Sequence, residues 1–146
     1  MNKPFSQACE NNRAPIGDIL VRLLSNRESV LELGSGTGQH AVWFARQLPH
    51  LYWQTSDRIE NHSGINQWLD ESGLDNIGVP IALNVSRDVW PKKKFEAAFS
   101  SNTAHIMAWP EVEIMFREVA SSLVAGGLFC LYGPMQYSGV IAAESN

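Results

Sequence analysis

The sequence predicts an α/β fold in three layers: a mainly parallel sheet with helices on both faces. Three observations carry this. Short apolar runs alternate with segments of helical periodicity, the pattern of strand–helix–strand units. The first apolar run feeds into a glycine cluster, the sharp turn that joins a buried strand to a helix. The 146 residues suit a single domain that buries roughly two-thirds of its unfolded surface.

The elements follow in order. Pro15 suits the first turn of a helix, and Ile16, Ile19, Leu20, Leu23 and Leu24 recur on one helical face. Ser29–Leu33 reads as a buried strand ending at the glycines. A helix over about 39–48 carries Ala41, Phe44, Ala45 and Leu48 on one side and is stopped by Pro49. Residues 52–56 form a second strand. A helix over about 61–72 holds Ile65, Trp68 and Leu69 and is capped by Gly73. Residues 79–85 form a third strand with Pro80 near its start, where a missing donor is tolerated. Phe95–Ser101 is a fourth strand. Pro110 opens a helix with Glu111 and Glu113 in its first turn, favourable for the dipole. Its apolar face is Val112, Met115, Phe116, Val119, Ala120 and Leu123, and Gly126-Gly127 ends it. Residues 128–132 form a fifth strand. One domain over 1–146 is expected, with an N-terminal helical cap at 1–27 and a core at 28–134.

Composition excludes several classes. A net charge of −4 with 11 Lys+Arg argues against broad nucleic-acid binding, which draws on many phosphate contacts. Cys9 and Cys130 lie far apart without zinc-site spacing, and no histidine pair has ligand spacing, so no metal is expected. Two reduced thiols fit a cytoplasmic protein. No apolar run reaches about 18 residues and no signal-peptide core appears. A soluble, cytoplasmic chain without a membrane partner is the expectation.

In a parallel α/β sheet, ligands bind beyond the carboxyl ends of the strands. Gly34-Ser35-Gly36-Thr37-Gly38 follows the first strand and offers close backbone approach at a helix N-terminus. The bland alternative is a tight turn without a ligand. The G-x-G-x-G spacing misses the dinucleotide fingerprint G-x-G-x-x-G, and no Gly-Lys-Ser/Thr follows, which excludes a phosphate-binding P-loop. Asp57 closes the second strand, where a carboxylate accepts ribose hydroxyls. Asn84 and Val85 end the third strand, where Asn84 can bond an adenine edge and Val85 can pack on the ring.

These residues resemble the class I S-adenosylmethionine-dependent methyltransferases. Glu32-Leu33-Gly34-Ser35-Gly36-Thr37-Gly38 is similar to that family's first motif, Asp57 to its second, and Asn84 stands at its third. Within it, Gly34 through Ala45, Leu48-Pro49-His50-Leu51 and Trp53-Gln54-Thr55-Ser56-Asp57 resemble the methyltransferase-like protein 26 family. So do Glu10-Asn11-Asn12-Arg13-Ala14-Pro15-Ile16, Asn102-Thr103-Ala104-His105-Ile106 and Leu131-Tyr132-Gly133-Pro134. Three positions depart from the pattern: Asn11 and Arg13 stand for Arg and Lys, and Asn84 for Asp.

The resemblance implies a Rossmann-like methyltransferase fold, with 28–134 as the cofactor-binding core and S-adenosylmethionine as cofactor. It assigns Gly34, Ser35, Gly36, Thr37 and Gly38 to backbone approach and Asp57 to the ribose. Glu32 goes to the cofactor's amino-acid end, Asn84 and Val85 to the adenine, and Asn102 joins the cofactor set. His105 is the candidate general base, its ordinary pKa lying near neutrality, against packing at the site's edge. Asn12, Arg13, Trp109 and Tyr132 are placed on the side of a small-molecule methyl acceptor. Trp90 and Trp109 either wall that acceptor or cap the core, and Lys92-Lys93-Lys94 is a solvated run. His40 is read as a helix-surface residue or one behind the site.

Two further functions compete: a methyltransferase-like binding module without turnover, and a dehydrogenase, which the glycine spacing disfavours. In the fold resembled, the strands run third, second, first, fourth, fifth, seventh, sixth. The sequence supplies five, with the sixth and seventh apparently missing. The fifth would then be an apolar edge, so either further C-terminal residues or a partner, such as a second copy in a homodimer, is expected to cover it.

Overall fold

A computed structural model describes residues 3–101, 107–133, 136–137 and 140–141. The elements are α1 (Gln7–Leu23), β1 (Ser29–Leu33), α2 (Gln39–Gln47), β2 (Tyr52–Asp57), a short 3-10 turn (Ile59–Asn61) and α3 (His62–Ser72). They continue with β3 (Ile77–Ala82), β4 (Phe95–Ser101), α4 (Trp109–Ser122), β5 (Leu123–Tyr132), β6 (Gln136–Tyr137) and β7 (Val140–Ile141). The main sheet has the order β3-β2-β1-β4-β5, and every neighbouring pair in it is parallel.

Alternate residues of each strand feed opposite layers. On one face Val30, Trp53, Ala97 and Phe99 pack with Ile16 and Leu20 of α1 and its C-cap Leu24, and with Phe44 and Ala45 of α2 and its C-cap Leu48. Val42 of α2 in turn packs on Ile65 and Leu69 of α3. On the other face Leu31, Leu33, Ala98 and Leu131 meet Val112, Met115 and Val119 of α4, together with Trp90. The three-layer α/β/α fold is therefore as the sequence predicts, and the carboxyl ends of β1, β2 and β4 converge where β1 turns into α2.

Three sequence expectations are corrected. Pro15 lies inside α1, which starts at Gln7 behind the N-cap Ser6. The Ser6 hydroxyl accepts the Cys9 N–H at 3.3 Å, so a strong cap fixes the start two turns earlier. The third strand spans Ile77–Ala82 rather than 79–85. It is an edge strand, where Pro80 withholds a donor no neighbour needs, and Asn84 has left it, its N–H donating to the Asp88 carboxylate. Gly126-Gly127 does not end α4. The helix stops at Ser122, β5 begins at Leu123, and the glycines occupy the irregular stretch where the pairing shifts from Phe95↔Leu123 to Ala97↔Leu128. As expected, the main sheet has five strands among the described residues. β6 and β7 pair antiparallel with each other, in a sheet of their own.

Candidate active site

Hydroxyls at the strand ends set the glycine turn. Ser56 Oγ donates to the Glu32 carbonyl, and Ser100 Oγ donates to the Leu33 carbonyl at 3.1 Å. The Ser35 N–H donates to the Ser56 carbonyl at 2.8 Å. The Ser56 N–H donates back to Ser35 Oγ at 3.0 Å. Gly34, Gly36 and Gly38 have φ of 71°, 61° and 96°, a region that side-chain-bearing residues avoid. At Gly38 a Cβ would stand 3.3 Å from the Ile65 Cα and 3.2 Å from the Trp68 Cβ, so this glycine lets the turn seat on α3. At Gly36 a Cβ would meet nothing within 4 Å; that face of the turn is open.

Two acidic groups flank the turn. Glu32 is 1% exposed; its Oε1 accepts from Ser35 Oγ at 2.8 Å and from Trp53 Nε1 at 3.1 Å. Burial pushes its carboxyl up to about 7, against the lowering effect of those two bonds. Asp57 Oδ2 accepts the Gly36 N–H at 2.7 Å, and Oδ1 accepts the Arg58 N–H at 2.7 Å and Asn61 Nδ2 at 2.9 Å. A carboxylate offers about four acceptor positions, so about one remains.

Two cavities meet at the turn. The first, 640 Å³, is lined by Glu32, Gly34, Ser35, Gly36 and Thr37, by His40 of α2, by Glu60, Asn61, Ser63 and Gly64, by Ser101, and by the N-terminal strap including Pro4, Ser6 and Cys9. The second, 430 Å³, shares Gly34, Gly36, Asn61 and Ser101 with it and adds Asp57, Leu83, Asn84, Val85, Met107 and Glu111. The glycines thus separate a polar, strap-covered chamber from a slot with an acid at one side and apolar side chains at the other.

The expected residues divide accordingly. Glu32, Gly34, Ser35, Gly36 and Thr37 line the first cavity. Asp57, Asn84 and Val85 line the second. Gly38 lies beneath the turn. Asn12 and Tyr132 come together across α1 and β5, the Tyr132 hydroxyl donating to Asn12 Oδ1 at 3.5 Å. Arg13 instead pairs with Glu10 at 3.1 Å and stacks over Trp43 at 4.0 Å, and Trp109 stands exposed at the start of α4. None of these four lines either cavity. Trp90 takes the core-capping alternative, 7% exposed with its Nε1 donating to the Val85 carbonyl at 3.0 Å. Asn102 and His105 lie outside the described residues.

Two residues of α2 carry more than the sequence showed. Gln39, 4% exposed, clamps the strap to the turn. Its Nε2 donates to the Ser6 carbonyl at 3.2 Å and to Glu10 Oε2 at 2.8 Å, and its Oε1 accepts from Thr37 Oγ1 at 2.9 Å and from the Ser6 N–H. His40 is 6% exposed rather than on the helix surface. It stacks on Phe44 with centroids 5.2 Å apart, and burial lowers its pKa to about 4, so it is uncharged at neutral pH. Its Nδ1 has no hydrogen-bond partner among the described residues, which costs about 1–3 kcal/mol in a buried polar group. The Ser6 cap signal was readable in sequence; the Gln39 clamp, spanning separate elements, was not. Among the described residues no cluster of ligating side chains suits a metal, and no helix is long and apolar enough to cross a membrane.

Solved structures share this architecture. The S-adenosylmethionine-dependent methyltransferase SibL superposes with a TM-score of 0.79 at 17% identity, over 89% of this chain and 37% of SibL. The glycopeptide N-methyltransferase MtfA, complexed with S-adenosylmethionine, gives 0.74 at 17% identity, over 86% of this chain and 55% of MtfA. An O-methyltransferase family protein from Burkholderia thailandensis gives 0.68 at 16% identity, over 90% of this chain and 44% of its own. This chain thus spans about half or less of their lengths, and at such identities the likeness shows the fold: the Rossmann-like α/β fold of class I methyltransferases. Residues 3–146 match the family described as "Protein of unknown function (DUF938)", and the chain belongs to that family.

Proposed function

We propose that the protein binds S-adenosylmethionine at the glycine turn and methylates a small molecule, as a relative of the methyltransferase-like protein 26 family. The supporting observation is the pair of cavities meeting at Gly34 and Gly36, one carrying Asp57 and the other Glu32. When bound, the cofactor supplies an activated methyl group.

The residues present fit such a ligand. The open face at Gly36 admits close approach of a ligand to the backbone. Asp57 keeps about one acceptor position for a ribose hydroxyl. Leu83, Val85 and Met107 give apolar contact for an adenine ring in the second cavity. In the first, the strap of Pro4, Ser6 and Cys9 excludes water on one side, which strengthens polar contacts within. The acceptor shares this chamber, entering beside Ser101 at the end of β4.

Calorimetric titration with S-adenosylmethionine and S-adenosylhomocysteine tests the reading. Saturable one-site binding of both is expected, weakened about tenfold or more in Asp57→Asn. No binding by the intact protein would overturn it. One observation favours a second reading, a binding module without turnover: Asp57 already gives three acceptor positions to Gly36, Arg58 and Asn61. Cofactor binding without methyl transfer across a screen of metabolites would favour that reading.

A further inference from the structure

We infer that residues 3–5 are a lid over the 640 Å³ cavity, pivoting at Ser6 and latched by Trp68, which lifts off α3 to let the adenosine ligand pass. The inference rests on the proposed cofactor and adds the door by which it enters and leaves.

The strap is fastened unequally along its length. At Ser6 the hold is firm. The buried amide of Gln39 donates to the Ser6 carbonyl and accepts the Ser6 N–H, so both backbone groups of one residue are tied to the start of α2. Ser6 is also the N-cap of α1. Before that pivot, residues 3–5 rest on the outside of α3. Phe5 is 61% exposed and adds nothing to the core. Lys3 Nζ meets Glu71 Oε1 at 2.7 Å and lies 3.7 Å over the Trp68 ring, surface contacts that hold little. The latch is Trp68, whose Nε1 donates to the Pro4 carbonyl at 2.7 Å. Pro4 lies flat on α3 because residue 64 is glycine; a Cβ there would meet Pro4 Cγ at 2.6 Å. A segment with so few buried contacts opens before the core does. The opening falls where a ligand needs it. Pro4 and Ser6 line the cavity together with Ser63 and Gly64 of α3, so lifting Pro4 from Gly64 parts that wall. A ligand inside can touch Pro4 only with the lid down, so binding favours the closed form. The competing door is the Asp57 slot, which meets the cavity at Gly34 and Gly36.

The test bolts the lid. A Cβ at residue 64 would stand 3.6 Å from the Pro4 Cβ, within the span of about 3.5–4.5 Å that a disulfide needs. Pro4→Cys and Gly64→Cys in one full-length chain therefore place a reversible cross-link over the seam. Stopped-flow kinetics with S-adenosylhomocysteine compare its oxidised and reduced forms. Oxidation is expected to slow both association and release by about tenfold or more, and reduction to restore them. Trp68→Phe keeps the ring and loses the bond to Pro4. It should speed release several-fold, and it guards against a cross-link that disturbs folding. A readout without ligand is solvent exchange of the Trp68 indole N–H by NMR. The cross-link should slow it and leave the Trp53 indole N–H, bonded to Glu32 in the core, unchanged. Equal binding and release rates in the oxidised and reduced forms, or Trp68 exchange that the cross-link does not move, would overturn the lid. The cofactor reading would then stand, with the ligand passing by the Asp57 slot. A wild type that binds no ligand would overturn the cofactor reading and the door with it.

Discussion

Two alanine substitutions in one turn separate its structural work from its ligand-facing work. Gly36 and Gly38 both have positive φ, 61° and 96°, so either alanine carries a backbone cost of about 1–2 kcal/mol. Their surroundings differ. The Gly36 Cβ would enter open space, whereas the Gly38 Cβ would meet Trp68 Cβ at 3.2 Å, Ile65 Cα at 3.3 Å and the Ile65 carbonyl oxygen at 3.4 Å. Two of those atoms are backbone of α3, which cannot swing aside, and such overpacking adds about 1–3 kcal/mol. In a domain of this size about 1 kcal/mol moves the melting temperature by about 3 °C. Gly36→Ala should therefore melt about 3–6 °C below wild type and Gly38→Ala about 6–15 °C below it. Ligand binding should reverse the ranking relative to stability. At a temperature where both variants are folded, Gly36→Ala places a methyl in the space both cavities share and loses about tenfold or more in S-adenosylhomocysteine affinity. Circular dichroism melts and calorimetry read the two effects. Equal melting temperatures, or a Gly36→Ala that binds like wild type, would refute the division.

The remaining predictions concern Glu32 and Gln39. The Glu32 carboxyl is raised from 4.5 to about 7 by burial, so its favourable contribution is fully present below pH 4.5 and is lost as pH rises through 7. Relative to Glu32→Gln, the wild type should lose up to about 3 kcal/mol of unfolding free energy across that window; parallel urea-denaturation curves at pH 5 and pH 8 would contradict this. Gln39→Ala removes the clamp between strap and turn, and amide exchange over residues 6–13 should accelerate about tenfold or more. Unchanged protection there would show that Trp68, whose Nε1 donates to the Pro4 carbonyl at 2.7 Å, holds the strap alone.

Punctuation decided how much of the fold was legible. β1 and β4 match their expected bounds to the residue, because a glycine cluster ends the first and Pro91 with three lysines precedes the second. The third strand slipped because its edge position tolerates Pro80 inside it, which the apolar run alone does not reveal. The helix start at Gln7 depends on a Ser6 cap and a Gln39 contact, and Pro15 masked it. At the site, Gly34 to Gly38 and Asp57 were readable because turn geometry and strand ends dictate them locally. The roles of Gln39 and His40 were not, because they arise from packing α2 against α1 and against the Phe44–Phe99 pair. Sequence spacing carries no trace of such contacts.

The central claim is that one adenosine-bearing ligand spans the two cavities across the glycine turn. A structure of the protein with S-adenosylhomocysteine tests it most directly. The expected complex has the adenine against Leu83 and Val85, a ribose hydroxyl on Asp57 and the amino-acid end in the cavity beside Glu32. Ligand density elsewhere on the chain, or an adenosine that leaves Asp57 without contact, would contradict it.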